Sequence, residues 1–179
     1  MPEPTSDLVW LTCLLRELRT DFADRAVRLR RHTERPWVWI DGGVDRSWIA
    51  DMTPGASRVR RIRPDDDDAP TEWRLWGGRR TDGAQITDGT ALGGDRVLSL
   101  RLDWMTRLGE SAASDLVIEF GGRHTNALVV TVPDGVIVDV LRPVSGKVNR
   151  YRELLPNRIY APPPRLNRAS LLDPWPWDA

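Results

Sequence analysis

Between Arg96 and Trp104 apolar and polar side chains alternate along the chain. Leu98, Leu100, Leu102 and Trp104 fall on one side, and Ser99, Arg101 and Asp103 on the other. A period of two marks a strand with one buried face; on a helix the same residues would scatter around the axis. The pattern then repeats. Asp115–Phe120 points Leu116, Ile118 and Phe120 inward. Asn126–Val132 and Val136–Leu141 flank Pro133-Asp134-Gly135, a turn in which proline presets one dihedral and glycine accepts positive φ. Residues 96–141 therefore read as an antiparallel meander.

The part before it mixes one helix with short strands. Leu8, Leu11, Leu15, Leu18 and Phe22 recur at spacings of three and four, with Leu14 beside them. This predicts an amphipathic helix over Ser6–Phe22, capped by Ser6 or Asp7. Ala26–Arg31 alternates, Trp37–Ile40 is a short apolar run, and Ser47–Ala50 pairs back across Asp41-Gly42-Gly43 as a hairpin. Residues 51–64 carry no decisive pattern. In residues 71–94 the glycines around Trp73 and Trp76 argue against a stable helix. The sum is roughly seven to nine strands and one leading helix. That predicts an α+β fold, mostly antiparallel, built as a β-sandwich or a partly open barrel.

The 179 residues fit one domain, and 40% apolar with 29% charged residues predicts a folded chain rather than a disordered one. Formal net charge is zero, so there is no overall basic field, and any contact with nucleic acid must rest on a local patch. Lys147 is the only lysine among 26 basic residues, which leaves arginine as the cation. Cys13, the single cysteine, excludes an internal disulfide and a cysteine-based zinc site. The acidic run Asp65–Asp68 reads as a solvated loop, so no metal or other cofactor is expected. The sequence shows no signal peptide and no apolar stretch long enough to span a membrane, which predicts a soluble cytoplasmic protein without a membrane partner. Residues 1–165 read as the domain. Residues 166–179, with Trp175 and Trp177, read as a tail or as the start of a following domain.

Four segments, in order, resemble the NFACT-N domain of the RqcH/NEMF (fibronectin-binding protein A-like) ribosome quality-control family. They are Ser6-Asp7-Leu8 running to Arg16-Glu17-Leu18, Asp95-Arg96-Val97, Gly122-Arg123-His124-Thr125-Asn126, and Tyr151-Arg152-Glu153-Leu154-Leu155-Pro156 followed by Tyr160, Pro162 and Pro163. The last two together are the specific part. Asn157 departs from the family's usual glycine, although asparagine also tolerates the left-handed region. Residues 73–86 occupy the place of a family helix but are broken by glycine. The resemblance implies a fold similar to the amino-terminal domain of formamidopyrimidine-DNA glycosylases. It also implies engagement of tRNA, typically alanyl-tRNA in bacteria, on an obstructed large ribosomal subunit. A stalled nascent chain is then extended without mRNA, with Asp7, Asp95 and Arg96 as the residues tied to tailing. The ribosome makes the peptide bond, so the resemblance implies a binding module rather than an enzyme, with no small-molecule substrate.

Side-chain chemistry supplies further candidates. Arg96 offers a planar fork to a phosphate or a base edge, or alternatively forms a surface ion pair. Arg123, His124 and Asn126 are candidates for RNA contact, or else turn residues bonding the backbone. Arg58, Arg60 and Arg61 form the densest basic run, which the acidic run after it can neutralise. Trp37, Trp39, Trp48 and Trp104 are expected mostly in the core. Met1-Pro2-Glu3 matches the start of the glycosylases, whose amino-terminal proline is a nucleophile, so a DNA glycosylase or abasic-site lyase acting through Pro2 is the alternative. A protein-interaction role of the adhesin kind has the least support in these residues.

Overall fold

The computed structural model describes residues 8–43, 45–63, 66, 72–92 and 96–164. Among these residues one α-helix, α1 (Leu8–Phe22), leads ten strands: β1 (Ala26–His32), β2 (Trp37–Asp41), β3 (Ser47–Asp51), β4 (Arg58–Ile62), β5 (Trp73–Leu75), β6 (Asp82–Leu92), β7 (Val97–Met105), β8 (Ser111–Glu119), β9 (Asn126–Val132) and β10 (Ile137–Val140). All pairings between them are antiparallel.

The strands form one open sheet, ordered β10-β9-β8-β7-β6-β1-β2-β3-β4, with β5 added beside β1. The mostly antiparallel sheet with one leading helix agrees with the sequence reading. The two strand sets are joined by β6, the segment whose glycines obscured the pattern. It pairs with β7 along most of its length and with Ala26–Arg28 of β1, so the meander and the leading hairpins join in one ladder. Register shifts at Val27/Arg28 and Ile86/Asp88 sit at that join, where bulges bend a strand and increase its twist. The unpatterned residues before Ile62 supply β4, and residues 73–86 hold only a short 3₁₀ turn, Gly78–Thr81, with no α-helix.

The helix lies on one face of this sheet. Leu11, Leu14, Leu18 and Phe22 are buried in a core with Val27, Leu29, Leu98, Leu100, Leu102, Leu116 and Ile118. Each such side chain contributes about 1.5–3 kcal/mol by leaving water. Two glycines allow the close approach: a Cβ on Gly89 would lie 2.7 Å from Leu15, and one on Gly42 would lie 2.6 Å from both the Phe22 ring and the Arg46 carbonyl oxygen. Alternation then makes two smaller cores on the opposite face. Val97, Val117, Leu128, Val130, Ile137 and Val140 pack under Leu154, Val144 and Tyr160 of the closing segment. Trp37, Ile49 and Ile62 pack with Trp39 and Trp73. Trp37 and Trp48 are buried and Trp104 is partly so, in line with the sequence. The turn at Pro133-Asp134-Gly135 has Gly135 at φ 69°, and Asn157 adopts φ 65° where the family has glycine.

Candidate nucleic-acid interface

Register determines what meets at one end of the sheet. Val97 opens β7, Glu119 closes β8 and Asn126 opens β9, and these three stand in a row across the ladder. Arg96 and the turn Gly121–Thr125 therefore emerge side by side. The Phe120 N–H donates to the Arg96 carbonyl oxygen at 2.7 Å. The first turn of α1 arrives at the same place: the Trp10 ring stands edge-on to Phe120, with centroids 5.3 Å apart. The Gly55 N–H donates to the Gly122 carbonyl oxygen at 3.2 Å, which brings in the β3–β4 turn. Asp7, Asp95 and Pro2 lie outside the described residues, but the segments adjoining Asp7 and Asp95 converge on this corner.

The turn itself divides the Gly-Arg-His-Thr-Asn segment in two. Gly122 has φ 60°, a conformation L side chains rarely adopt, which lets the chain reverse within a short 3₁₀ turn. Arg123 and His124 are exposed at its tip, and the Arg123 Nε–H donates to His124 Nε2 at 3.3 Å. Thr125 and Asn126 point inward. The Thr125 hydroxyl donates to the Glu119 carbonyl oxygen at 2.7 Å. Asn126 is 1% exposed. Its Nδ2 donates to the Arg142 carbonyl oxygen at 2.7 Å, and its Oδ1 accepts from the Arg142 and Ala127 N–H groups at 3.0 Å. Asn126 thus joins two chain segments and is removed from the surface where RNA contact was expected.

Beneath the corner lies a buried charge network. The Glu119 carboxylate accepts from both terminal nitrogens of Arg152, at 2.9 Å from Nη1, and from the Tyr160 hydroxyl at 2.8 Å. The Arg152 guanidinium also lies over the Tyr160 ring, 5.4 Å from its centroid. Burial, then the negative charge of Glu119, pushes the Tyr160 hydroxyl far above the ordinary tyrosine range. The closing Tyr-Arg-x-Leu-Leu-Pro segment thereby acquires a physical meaning. Arg152 neutralises Glu119, and Leu154 enters the second core. Glu119 was missed in the sequence, although a signal existed. It shares the face of Val117, opposite Leu116 and Ile118, and a carboxylate beside an apolar residue that the chain covers demands a cationic partner.

The basic run on β4 does not act as one patch. Val59 and Ile62 enter different cores, so alternation sends Arg61 to the helix face and Arg58 and Arg60 to the other. Arg61 pairs with Asp21 of α1 and lies over Trp48. Arg58 and Arg60 each have a carboxylate oxygen at 3.6 Å, from Asp51 and Asp66 respectively. Arg58, at the start of β4, is the member nearest the corner. Among the described residues no group of three or more His, Cys, Asp or Glu is placed to hold a metal ion, and no helix is long and apolar enough to cross a membrane.

Comparison with known proteins bears on this corner. The family model for the NFACT N-terminal and middle domains matches residues 79–175. The Rqc2 homolog RqcH of Bacillus subtilis (strain 168) is 30% identical over 79 residues, which are 44% of this chain and 14% of the relative. The protein of the same name from Streptococcus pneumoniae serotype 2 is 32% identical over 82 residues, 46% of this chain and 15% of the relative. The match thus spans a small part of those relatives' length. The fold likeness is wider. The N-terminal domain of fibronectin-binding protein PavA from Streptococcus pneumoniae superposes with a TM-score of 0.76 at 22% identity, covering 91% of this chain and 66% of that one. The N-terminal part of a fibronectin/fibrinogen-binding protein from Streptococcus suis gives 0.74 at 21% identity, covering 87% and 60%. The fold is therefore shared well beyond the matched half.

Proposed function

The chain belongs to the NFACT N-terminal family, and on that premise we propose that it is an RNA- and ribosome-engaging module of ribosome-associated quality control. In this reading it works in the cytoplasm and holds tRNA on an obstructed large ribosomal subunit. It thereby supports mRNA-independent, alanine-type tailing of the stalled nascent chain. Its partners are tRNA and the large subunit. It needs no cofactor, and it binds rather than catalyses, because the ribosome forms the peptide bond.

One observation carries the reading. The start of α1, Arg96 and the Arg123–His124 turn meet at one end of the sheet, although they lie far apart in sequence. These are the segments through which the chain resembles its family. Arginine forks suit phosphate oxygens, and an exposed imidazole suits phosphate or base edges. Asp7 and Asp95 are assigned to the same site, where a carboxylate orients an arginine or accepts from a ribose hydroxyl or a base amino group.

The test is affinity capture of the full gene product from cells with stalled ribosomes, followed by sequencing of the recovered RNA. Large-subunit RNA and tRNA are the expected yield. Replacing Asp95 and Arg96 together by alanine is expected to remove tRNA and abolish tailing while the unfolding curve stays in place. Tailing that survives the double replacement removes the site; capture without large subunits or tRNA removes the function.

A further inference from the structure

Three partly buried arginines of the sheet and closing segment are matched with carboxylates. Arg152 faces Glu119, Arg101 faces Asp115, and Arg30 faces Asp41. Arg142 differs from these three. Its Nε is buried without a hydrogen-bond partner, and among the described residues its guanidinium meets no carboxylate. Burial, with no anion to oppose it, holds this group below the ordinary arginine range, yet a guanidinium remains charged at neutral pH. Leaving such a cation without a partner is unfavourable to the fold.

The backbone at this position is nonetheless tightly fixed. Asn126 clamps both the N–H and the carbonyl of Arg142, and the preceding Leu141 N–H donates to the Ala127 carbonyl oxygen at 2.8 Å. Through Asn126, Arg142 adjoins the turn that exposes Arg123 and His124. An arginine with a clamped backbone, a partly desolvated side chain and no carboxylate partner among the described residues is prepared for an anion from outside. The planar fork favours the paired oxygens of a phosphate.

We propose that Arg142 is a phosphate-binding residue of the corner and contacts the RNA backbone from the closing side of the sheet. This rests on the reading that the corner engages RNA. It adds a contact outside the four segments of family resemblance, and it implies that Arg142 is kept at the expense of stability.

The experiment uses the full chain, deacylated tRNA, inorganic phosphate, and the variants Arg142→Gln and Arg142→Lys. Arg142→Gln is expected to weaken tRNA binding by about three- to tenfold and to make the log–log salt dependence shallower by about one phosphate contact. Without RNA its thermal midpoint should equal or exceed that of the wild type. Arg142→Lys should keep the salt slope but lose part of the affinity, because it retains charge without the fork. Inorganic phosphate should compete with tRNA on the wild type and less on Arg142→Gln. Wild-type affinity and slope in Arg142→Gln, in a chain that does bind tRNA, overturn the proposal and leave the corner's function intact. A lowered midpoint in both variants assigns Arg142 a structural role and overturns it as well. A wild-type chain that does not bind tRNA removes the functional reading, and this inference with it.

Discussion

The two halves of the sheet handle charge differently. In the first half, arginines meet carboxylates in solvent: Arg28 pairs with Asp82 and Arg19 with Asp88, with both side chains of each pair well exposed. Such pairs are solvated and contribute little. In the meander half, Glu119 and Arg152 meet inside, with side chains 4% and 12% exposed. One buried pair there ties the closing segment to the strand end that carries Arg96. The densest basic run of the sequence, on β4, meets carboxylates of Asp51, Asp66 and Asp21. A basic run is therefore a poor guide to a basic surface, and the corner is organised by a residue pair that the composition hides.

The largest expected effect tests that difference directly. Glu119→Ala leaves Arg152 and Tyr160 without their shared acceptor and is expected to cost about 3–5 kcal/mol in urea unfolding. Arg28→Ala, at an exposed pair, is expected to stay within about 0.5 kcal/mol. Equal costs would mean that the two halves do not differ in the way described.

A second effect concerns how the helix holds the first half. Gly42→Ala is expected to cost about 1–3 kcal/mol, because the new methyl group meets the Arg46 carbonyl as well as the Phe22 ring. Gly89→Ala should cost less, since its nearest neighbours are the flexible ends of Leu15 and Leu100. Urea denaturation of both variants checks the order. A reversed order would show that α1 is seated chiefly over β6 rather than at its carboxyl end.

The same contrast explains what the sequence disclosed. The meander was legible because Leu98, Leu100 and Leu102 alternate over one buried face, and α1 because its leucines follow a helical period. β6 was not legible: it spans the junction, carries Gly83 and Gly89, and alternates between a core side and a crowded helix contact. β4 was obscured because Arg58, Arg60 and Arg61 conceal the two apolar positions, Val59 and Ile62, that define it. At the site, the motif residues were visible as letters, but their division was not. Nothing local distinguishes the exposed Arg123 from the buried Asn126, because the partner that buries Asn126 is the backbone of Arg142, sixteen positions away. The joining of the strand sets was hidden for a related reason. Short-range patterns predict strands but carry no information on the β1–β6 pairing that merges two strand sets into one sheet.

The smallest effect belongs to Tyr160, and its sign follows from the buried network. The folded chain holds this hydroxyl in its neutral, donating form, and burial and Glu119 together raise its pKa above the unfolded value near 10. The unfolded chain therefore releases the proton at lower pH than the folded one. The associated stability is fully present below about pH 10 and declines as pH rises beyond it. Tyr160→Phe is expected to cost about 1 kcal/mol at neutral pH through the lost hydrogen bond to Glu119, while Arg152 continues to neutralise the carboxylate. Above about pH 10 the gap between variant and wild type should narrow, because phenylalanine has no proton to lose. Urea unfolding at a series of alkaline pH values, with tyrosinate absorbance followed in parallel, tests both statements. Tyr151, the other of the two tyrosines, is exposed and stands outside the network, so Tyr151→Phe serves as the control. A gap that stays constant with pH would mean that neither burial nor Glu119 holds Tyr160 in its protonated form. The meander half would then rest on the Arg152 contact alone.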